Sequence, residues 1–252
     1  MNGFFDFTIE YGADGFGLYG AGHFIWLAVF AAMTAALSLV YRRTNARGRK
    51  VLRLGVALAA LVVEVVRALL LMHAGQYNVF RLPLHLCGLA VYIGVFHALT
   101  GNRLTGQFLC AFCMPGALCA LLFPDWTYYP FVHFMTLSSF ILHILLVDYT
   151  LMQILGGELR PDISRAPVCL GIMLAIAAPI YALNRLWGTN YMFLNVPSEG
   201  SPLEWFAFLG RPGYLLGYIP LLLLAWTPIY LPGIIKSAAR KKRAAKGYGI
   251  KI

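Results

Sequence analysis

The stretch VALAALVVEVVRALLLM, residues 56–72, decides the fold. Apart from Glu64 and Arg67, every residue in it is apolar, and a helix that crosses the roughly 30 Å hydrocarbon core of a bilayer needs about 20 predominantly apolar residues. The rest of the chain has the same character: 60% of its 252 residues are hydrophobic and 12% are charged, against about 25% in a typical soluble domain. The composition excludes a water-soluble globular protein and favours one membrane domain.

Apolar runs of this kind recur on both sides of residues 56–72. They predict an all-α fold, a polytopic membrane bundle of about seven transmembrane helices. The predicted spans are residues 20–41, 52–73, 82–100, 104–123, 131–152, 167–187 and 213–233. They divide the chain into an extracytoplasmic segment (1–19), a membrane domain (20–233) and a basic tail (234–252).

The positions of lysine and arginine predict the orientation, because cytoplasmic loops carry an excess of these residues. Sixteen of the 20 lie in residues 42–53, at Arg103, in residues 160–165 or in the tail from Lys236 onward. With an odd number of spans, this places the N-terminus outside and the tail in the cytoplasm. The net charge of +10 is therefore a topology signal. We expect anionic lipid to contact the tail, and no nucleic-acid partner.

Three further features bear on the fold. Residues 1–20 lack a basic region and carry Asp6, Glu10 and Asp14, so we expect no cleaved signal peptide. The five cysteines lie in apolar stretches without a CxxC motif, which favours small buried side chains over disulfides or a zinc site. Residues 188–213 form a long connection, and such connections are often binding loops. We interpret it as an outer cap, with a plain surface loop as the alternative.

Ionisable side chains at membrane depth are the best markers of a functional site, because they are costly there and usually face a bundle interior. Glu64 and Arg67 are three residues apart and share a helix face. They either neutralise each other and specify packing, or Glu64 orients a histidine on another helix. Lone membrane histidines are usually interhelical hydrogen-bond partners, but His23, His85, His133 and His143 are predicted to converge near Glu64.

Several motifs together resemble a known family. They are LPLHLC in the third span, VVEVVR in the second, GALCALLFP closing the fourth, FILH in the fifth and GTNYMFL after the sixth. In combination they resemble the bacterial YwaF-type membrane proteins and, more distantly, the eukaryotic transmembrane protein 164 family. The resemblance extends from about His23 to Tyr214. It implies a phospholipid acyltransferase or a related acyl hydrolase in a bacterial cytoplasmic membrane, with membrane phospholipids as substrate and no cofactor.

The resemblance also implies site residues. The eukaryotic branch has Pro-Cys-His where this chain has Pro83, Leu84 and His85, so Leu84 replaces the family's nucleophilic cysteine and Cys87 is the nearest thiol. His143 matches the family's histidine, which we interpret as the general base, and Glu64 matches the acid that would hold its tautomer. His85 or Asn190 would donate to the developing oxyanion.

The predicted catalytic residues are thus Cys87, His143, Glu64 and His85. The predicted substrate-binding residues are Asn190, Tyr191, Arg67, His23 and His133. A rise of about 1.5 Å per residue puts Cys87 roughly 8 Å, Glu64 roughly 14 Å and His143 roughly 18 Å below the outer edge. These depths match Glu64 to His143 better than Cys87 to His143.

Two other functions remain open. One is a lipid-binding or transport protein in which the polar residues line a pocket without chemistry. The other is a metal-dependent hydrolase with histidine ligands, which zinc accepts. Because the chain has no HExxH or other local metal motif, we predict no metal ligands.

Overall fold

The structure is a computed structural model that describes residues 3–9 and 15–247; for Lys236 and residues 240–247 it describes the backbone alone. The chain is 74% helical, and no β-strand occurs among the described residues. The long helices are α1 (Ala21–Arg43), α2 (Ala46–His73), α3 (Leu86–Thr100), α4 (Arg103–Leu122), α5 (Phe134–Leu155), α6 (Ala166–Trp187) and α7 (Tyr218–Gly247).

The predicted all-α membrane bundle is confirmed. Within the described residues, six helices are long and apolar enough to cross a bilayer, and α3 is a shorter apolar helix of 15 residues. All seven predicted spans overlap one of these helices. Glu10, Asp14 and the end of the basic tail at residues 248–252 lie outside the described residues, as do the side chains of all lysines and arginines of the tail.

The start of the third span was predicted wrongly. Helix α3 begins at Leu86 and not near residue 82, and its N-cap, His85, has an extended backbone with φ −66° and ψ 151°. Pro83 disfavours the helical conformation in Leu82, the residue before it, and the extended backbone of His85 sets the helix start at Leu86. Residues 82–85 therefore form a non-helical approach to α3, and this changes where His85 and Cys87 lie.

Helix α5 is the centre of the bundle. It packs against α1, α2 and α4, and 78% of its apolar window is buried. On its α1 side, the buried carboxyl of Asp148 accepts a hydrogen bond from Thr34, at 2.5 Å. A helix buried on nearly all sides has to satisfy its polar groups within the protein, so α5 is the natural place for intramembrane polar chemistry.

Helix α4 contains a π-helical turn at Leu109–Cys113. A π-turn displaces the regular backbone pairing and makes a carbonyl available to another partner. Here the indole nitrogen of Trp226 donates to the carbonyl of Ala111 at 2.7 Å, and the Trp226 ring packs edge-on against Phe112. This contact holds α7 against the rest of the bundle.

The two ends of the bundle differ. We call the end formed by residues 43–46 and 156–165 the basic end, and the end formed by residues 74–85, 123–133 and 188–213 the cap end. At the basic end, Glu158 accepts a hydrogen bond from Tyr41 and pairs with Arg53 at 3.4 Å. Arg49 donates to the carbonyls of Tyr41, Thr44, Arg42 and Gly156. This network ties the α1–α2 turn to the connection after α5.

Candidate functional site

A cavity of about 1950 Å³ lies between α4, α5, α6 and α7 and reaches the loops of the cap end. It exceeds the roughly 300–1,000 Å³ of a typical small-molecule pocket. Its walls are mainly apolar, but polar side chains gather toward the cap end. These are Arg67, Arg81, His85, Cys87, Cys119, Asp125, Ser139 and His143. A large apolar cavity with a polar end is the shape that an amphipathic ligand requires.

The cavity brings together four of the residues predicted from the sequence, namely Cys87, His143, His85 and Arg67. Because α3 starts at Leu86, Cys87 lies in its first turn. His85 precedes the helix, so helical spacing does not separate the two side chains. Leu84 also precedes the helix, and it packs against a small apolar cluster around Tyr191 instead of lining the cavity. Leu84 and Cys87 therefore do not share a helix face.

His143 is positioned by its own helix and by a tryptophan. Its Nδ1 lies 2.7 Å from the carbonyl oxygen of Ser139, and the Trp126 ring stacks on it with a centroid separation of 4.9 Å. A carbonyl can only accept, so Nδ1 carries the proton. In the neutral ring Nε2 then has a free lone pair, which is the form of a general base.

His85 has the opposite tautomer. The backbone N–H of Met192 donates to His85 Nδ1 at 3.3 Å, so in the neutral ring the proton is on Nε2. The rings of Tyr191 and Phe193 lie 5.2 Å and 5.4 Å from the His85 ring, centroid to centroid. One cavity histidine is thus an acceptor at Nε2 and the other is a donor.

The Met192 amide is positioned by a buried network at the end of α6. Asn184 donates to the carbonyl of Tyr191 and accepts from the N–H of Tyr191 and the hydroxyl of Thr189, each at 2.8 Å. The Tyr191 hydroxyl binds the carbonyl of Val79 and accepts from the N–H of Leu82. Tyr191 therefore holds residues 79–82 against the loop that carries Met192.

The side chain of Asn190 forms hydrogen bonds within the same loop. Its side chain accepts from the N–H groups of Asn195 and Val196 and donates to the carbonyl of Val196. Neither Asn190 nor Tyr191 lines the cavity. Met192 and Phe193 have φ values of 54° and 51°, in the left-handed region that is costly for side chains larger than glycine. The hydrogen bonds of the loop keep this conformation in place.

Glu64 and Arg67 form an ion pair at 2.5 Å, with Glu64 nearly buried and the Arg67 side chain 22% exposed. The alternative in which the two residues neutralise each other is the one observed. Glu64 does not supply the Nδ1 partner of His143, because Ser139 has that role. Arg67 lines the cavity, and its charge acts on His143, Cys87 and Asp125. Glu64 itself does not line the cavity, and its ion pair connects it to Arg67, which does.

Asp125 was missed as a site residue. It follows the GALCALLFP motif directly. In the structure it lines the cavity and acts electrostatically on Cys87. Burial raises the pKa of Asp125 above its ordinary value, and the charges of Arg67 and Arg81 oppose this shift. The sequence signal was the position of this acid directly after a recognised motif.

His23 and His133 lie outside the cavity lining. Nδ1 of His23 accepts from the N–H of Tyr19, and its Nε2 donates to the carbonyl of Leu121 at 2.8 Å. His133 is the N-cap of α5: its Nδ1 accepts from the N–H of Met135, and its Nε2 donates to the carbonyl of Asp6. Both ring nitrogens of each histidine have backbone partners, so these two residues hold loops in place.

The structure gives no support to a histidine-ligated metal centre. No group of three or more His, Cys, Asp or Glu side chains able to hold a metal ion occurs in residues 3–9 and 15–247. The histidines predicted to converge are divided between the cavity, where His85 and His143 lie, and the loops held by His23 and His133.

The fold and the site together define a multi-pass membrane protein with a large internal cavity that is polar at one end. A family model described as "TMEM164 family" matches residues 18–230, which is most of the chain. The protein belongs to the TMEM164 family. Searches of curated proteins and of solved structures found no significant match.

Proposed function

We propose that this protein is a membrane-embedded lipid-modifying enzyme, a phospholipid acyltransferase or a related acyl hydrolase. The observation that carries the proposal is the pair of opposite histidine tautomers in one cavity. His143 offers a lone pair at Nε2, and His85 offers an N–H at Nε2. Acyl transfer needs both a base for the nucleophile and a donor to the oxyanion.

The proposed reaction begins at Cys87. Its thiol proton passes to His143 Nε2 as the sulfur attacks the carbonyl carbon of a lipid ester, and the N–H of His85 stabilises the oxyanion. The ester C–O bond then breaks, and the leaving alcohol takes the proton from His143. The acyl thioester is next attacked by the hydroxyl of a second lipid, which gives acyl transfer, or by water, which gives hydrolysis. Either attack returns the proton to Cys87.

Two features favour Cys87 as the nucleophile. It lies in the first turn of α3, where the helix dipole partly offsets the cost of burying a thiolate. The nearby Asp125 carboxyl would repel a thiolate when ionised, but burial raises the pKa of Asp125 and so favours its neutral form. The guanidinium groups of Arg67 and Arg81, at the same end of the cavity, would bind the phosphate of the lipid substrate.

The test is turnover by the purified protein in lipid nanodiscs. A phospholipid with an isotope-labelled acyl chain is supplied with an unlabelled lysophospholipid, and products are followed by mass spectrometry. With wild type we expect the labelled acyl chain to appear either in the phospholipid formed from the lysophospholipid or as free fatty acid. Loss of a general base typically lowers the rate about 10²–10⁴-fold, and we expect a loss of this size for His143→Ala.

Controls separate chemistry from folding. Cys87→Ser and Cys87→Ala are compared with Cys169→Ala, because Cys169 is a buried cysteine that does not line the cavity. Cys169→Ala is expected to keep wild-type turnover. Full turnover by Cys87→Ala would exclude Cys87 as the nucleophile. Saturable lipid binding without turnover in every protein would instead indicate a lipid-binding protein.

The finer assignments also belong to this proposal. They are the bacterial YwaF-type branch, residence in the cytoplasmic membrane with the cap end outside, and contact of the basic tail with anionic lipid. The orientation is supported by the charge at the basic end, where Arg42, Arg43, Arg47 and Lys50 are exposed. Labelling of single cysteines introduced at Arg47 and Glu199 with a membrane-impermeant maleimide tests the orientation. Labelling at Arg47 in intact cells would reverse it.

A further inference from the structure

The cavity continues far beyond the polar residues at the cap end. Its lining on α5 begins at Met135 and ends at Leu155, a length of about 30 Å at 1.5 Å per residue. This is close to the thickness of the hydrocarbon core. The cavity is therefore a channel that follows a membrane-crossing helix for nearly its full length.

The half of this channel beyond His143 has an apolar lining. On α5 it is formed by Val147, Leu151 and Ile154, and facing them on α6 are Leu170, Met173, Leu174 and Ala177. Among the described residues, the next ionisable side chain along the lining is Arg160 at the basic end. A lipid headgroup would find no polar partner along this path, whereas an acyl chain needs none.

The same half is open to the membrane. Leu174 of α6 and Leu224 of α7 line the cavity and are also 60% and 71% exposed. In a bilayer these side chains face lipid tails. An acyl chain can therefore enter sideways between α6 and α7, without its headgroup passing through the apolar part of the channel.

We infer that the channel beyond His143 binds one long, extended acyl chain of the lipid substrate and sets the chain length that the site accepts. The inference rests on the proposed function for the position of the ester, which is placed beside His143. From His143 to Leu155 the channel is about 18 Å long, slightly more than the roughly 15 Å depth of one leaflet. The substrate class is thus a long-chain lipid.

Chain length rather than hydrophobicity is expected to decide binding. Lipid tails are as apolar as leucine, so moving a chain from the bilayer into the channel gains little hydrophobic free energy. Selectivity then comes from packing: a short chain leaves a void, and an obstruction partway along the channel excludes the end of a long chain.

The experiment uses photoactivatable lysophospholipids with a diazirine at the end of the acyl chain, one palmitoyl and one octanoyl. Each is crosslinked to the full-length protein in nanodiscs, and labelled peptides are identified by mass spectrometry. With wild type we expect the palmitoyl probe to label the segments 151–155 and 170–174, and the octanoyl probe, whose chain is half as long, to label residues around Val147. Equal labelling patterns for the two probes would overturn the inference.

Two variants of α6 form a matched pair. Ala177 lines the channel and Ala175 does not, so Ala177→Phe narrows the channel and Ala175→Phe adds the same side chain elsewhere. We expect Ala177→Phe to lower palmitoyl labelling at 151–155 about fivefold or more, as an overpacking penalty of about 1 kcal/mol produces. Ala175→Phe is expected to label as wild type. If Ala177→Phe does not fold, Ala225→Phe on the α7 wall replaces it.

The outcomes distinguish this inference from the proposed function. Crosslinking needs no turnover. End-of-chain labelling at 151–155 together with full turnover by His143→Ala would therefore contradict the proposed catalytic role of His143 and support the acyl-chain site. Normal dependence of turnover on His143 with labels spread over the outer surface of the bundle would remove the chain site alone.

Discussion

The buried amide of Asn184 provides the sharpest test of how the cap end is built. Asn184 is fully buried, and its side chain makes three hydrogen bonds, with both backbone groups of Tyr191 and with the Thr189 hydroxyl. Asn184→Ala removes all three while leaving the helix intact, because alanine is a good helix former. The partners left behind have to find water or remain unpaired.

The expected cost follows from these bonds. At the average of about 0.6 kcal/mol measured for hydrogen bonds within membrane proteins, the three amount to about 2 kcal/mol. At the roughly 1 kcal/mol typical of soluble proteins, they amount to about 3 kcal/mol. Since 1.4 kcal/mol is tenfold in an equilibrium constant, opening of the 188–196 loop becomes about 30- to 150-fold more frequent.

Hydrogen exchange measured by mass spectrometry detects this change, because amides in a locally opening segment exchange in proportion to the opening equilibrium. We expect the peptide covering 188–196 to exchange at least tenfold faster in Asn184→Ala, with α5 unchanged. Leu186→Ala is the control, since Leu186 lies on the same helix and is 76% exposed. Exchange of 188–196 at the wild-type rate in Asn184→Ala would refute the reasoning.

Three further predictions follow from contacts elsewhere in the bundle. Trp226→Phe keeps an aromatic ring but removes the donor to the Ala111 carbonyl, so we expect the free energy of unfolding to fall by about 1 kcal/mol. Thermal unfolding measures this change, with Leu223→Ala, at an exposed position, as the control. An unchanged unfolding midpoint would mean that this hydrogen bond does not hold α7. Glu64→Gln leaves Arg67 without its ion-pair partner, and breaking a buried ion pair costs about 3 kcal/mol. The double variant Glu64→Gln with Arg67→Met should recover most of this lost stability. Additive losses of stability in the double variant would argue against a coupled pair. Burial raises the pKa of Asp125, so the folded protein holds the carboxyl proton more tightly than the unfolded chain does. Wild-type stability is therefore lost as the pH rises from about 4 through the raised pKa. The stability of Asp125→Asn relative to wild type should increase from pH 4 to pH 7, and a constant stability difference across that range would contradict this prediction.

Hydropathy was sufficient to predict the bundle but not the start of α3. The apolar runs identified all seven long helices among the described residues, because a run of roughly 20 apolar residues is long enough to cross the bilayer as a helix. Span boundaries depend on local conformation, which hydropathy ignores. The backbone of His85 is extended, so the helix starts at Leu86, with His85 outside α3 and Cys87 in its first turn.

The site could be predicted in part for the same kind of reason. The cost of polar groups in a bilayer drew attention to Arg67, His85, Cys87 and His143, and all four line the cavity. The same rule selected His23 and His133, but both ring nitrogens of each residue form hydrogen bonds with backbone groups. Nothing in the sequence distinguishes a histidine that binds a carbonyl of a neighbouring loop from one that faces a cavity, because every residue carries the same backbone carbonyl.

The tautomers of the two cavity histidines could not be predicted from the sequence, because their hydrogen-bond partners are known only from the structure. Ser139, which fixes the tautomer of His143, is one turn away on the same helix, so this tautomer is set whenever α5 is folded. Met192, which fixes the tautomer of His85, lies on a loop held by Asn184 and by the hydroxyls of Tyr191 and Tyr218. The proposed base thus depends on a buried helix and the proposed oxyanion donor on the cap. Loosening the cap should therefore weaken oxyanion stabilisation while leaving the base intact, so that Asn184→Ala lowers turnover without the complete loss expected for His143→Ala.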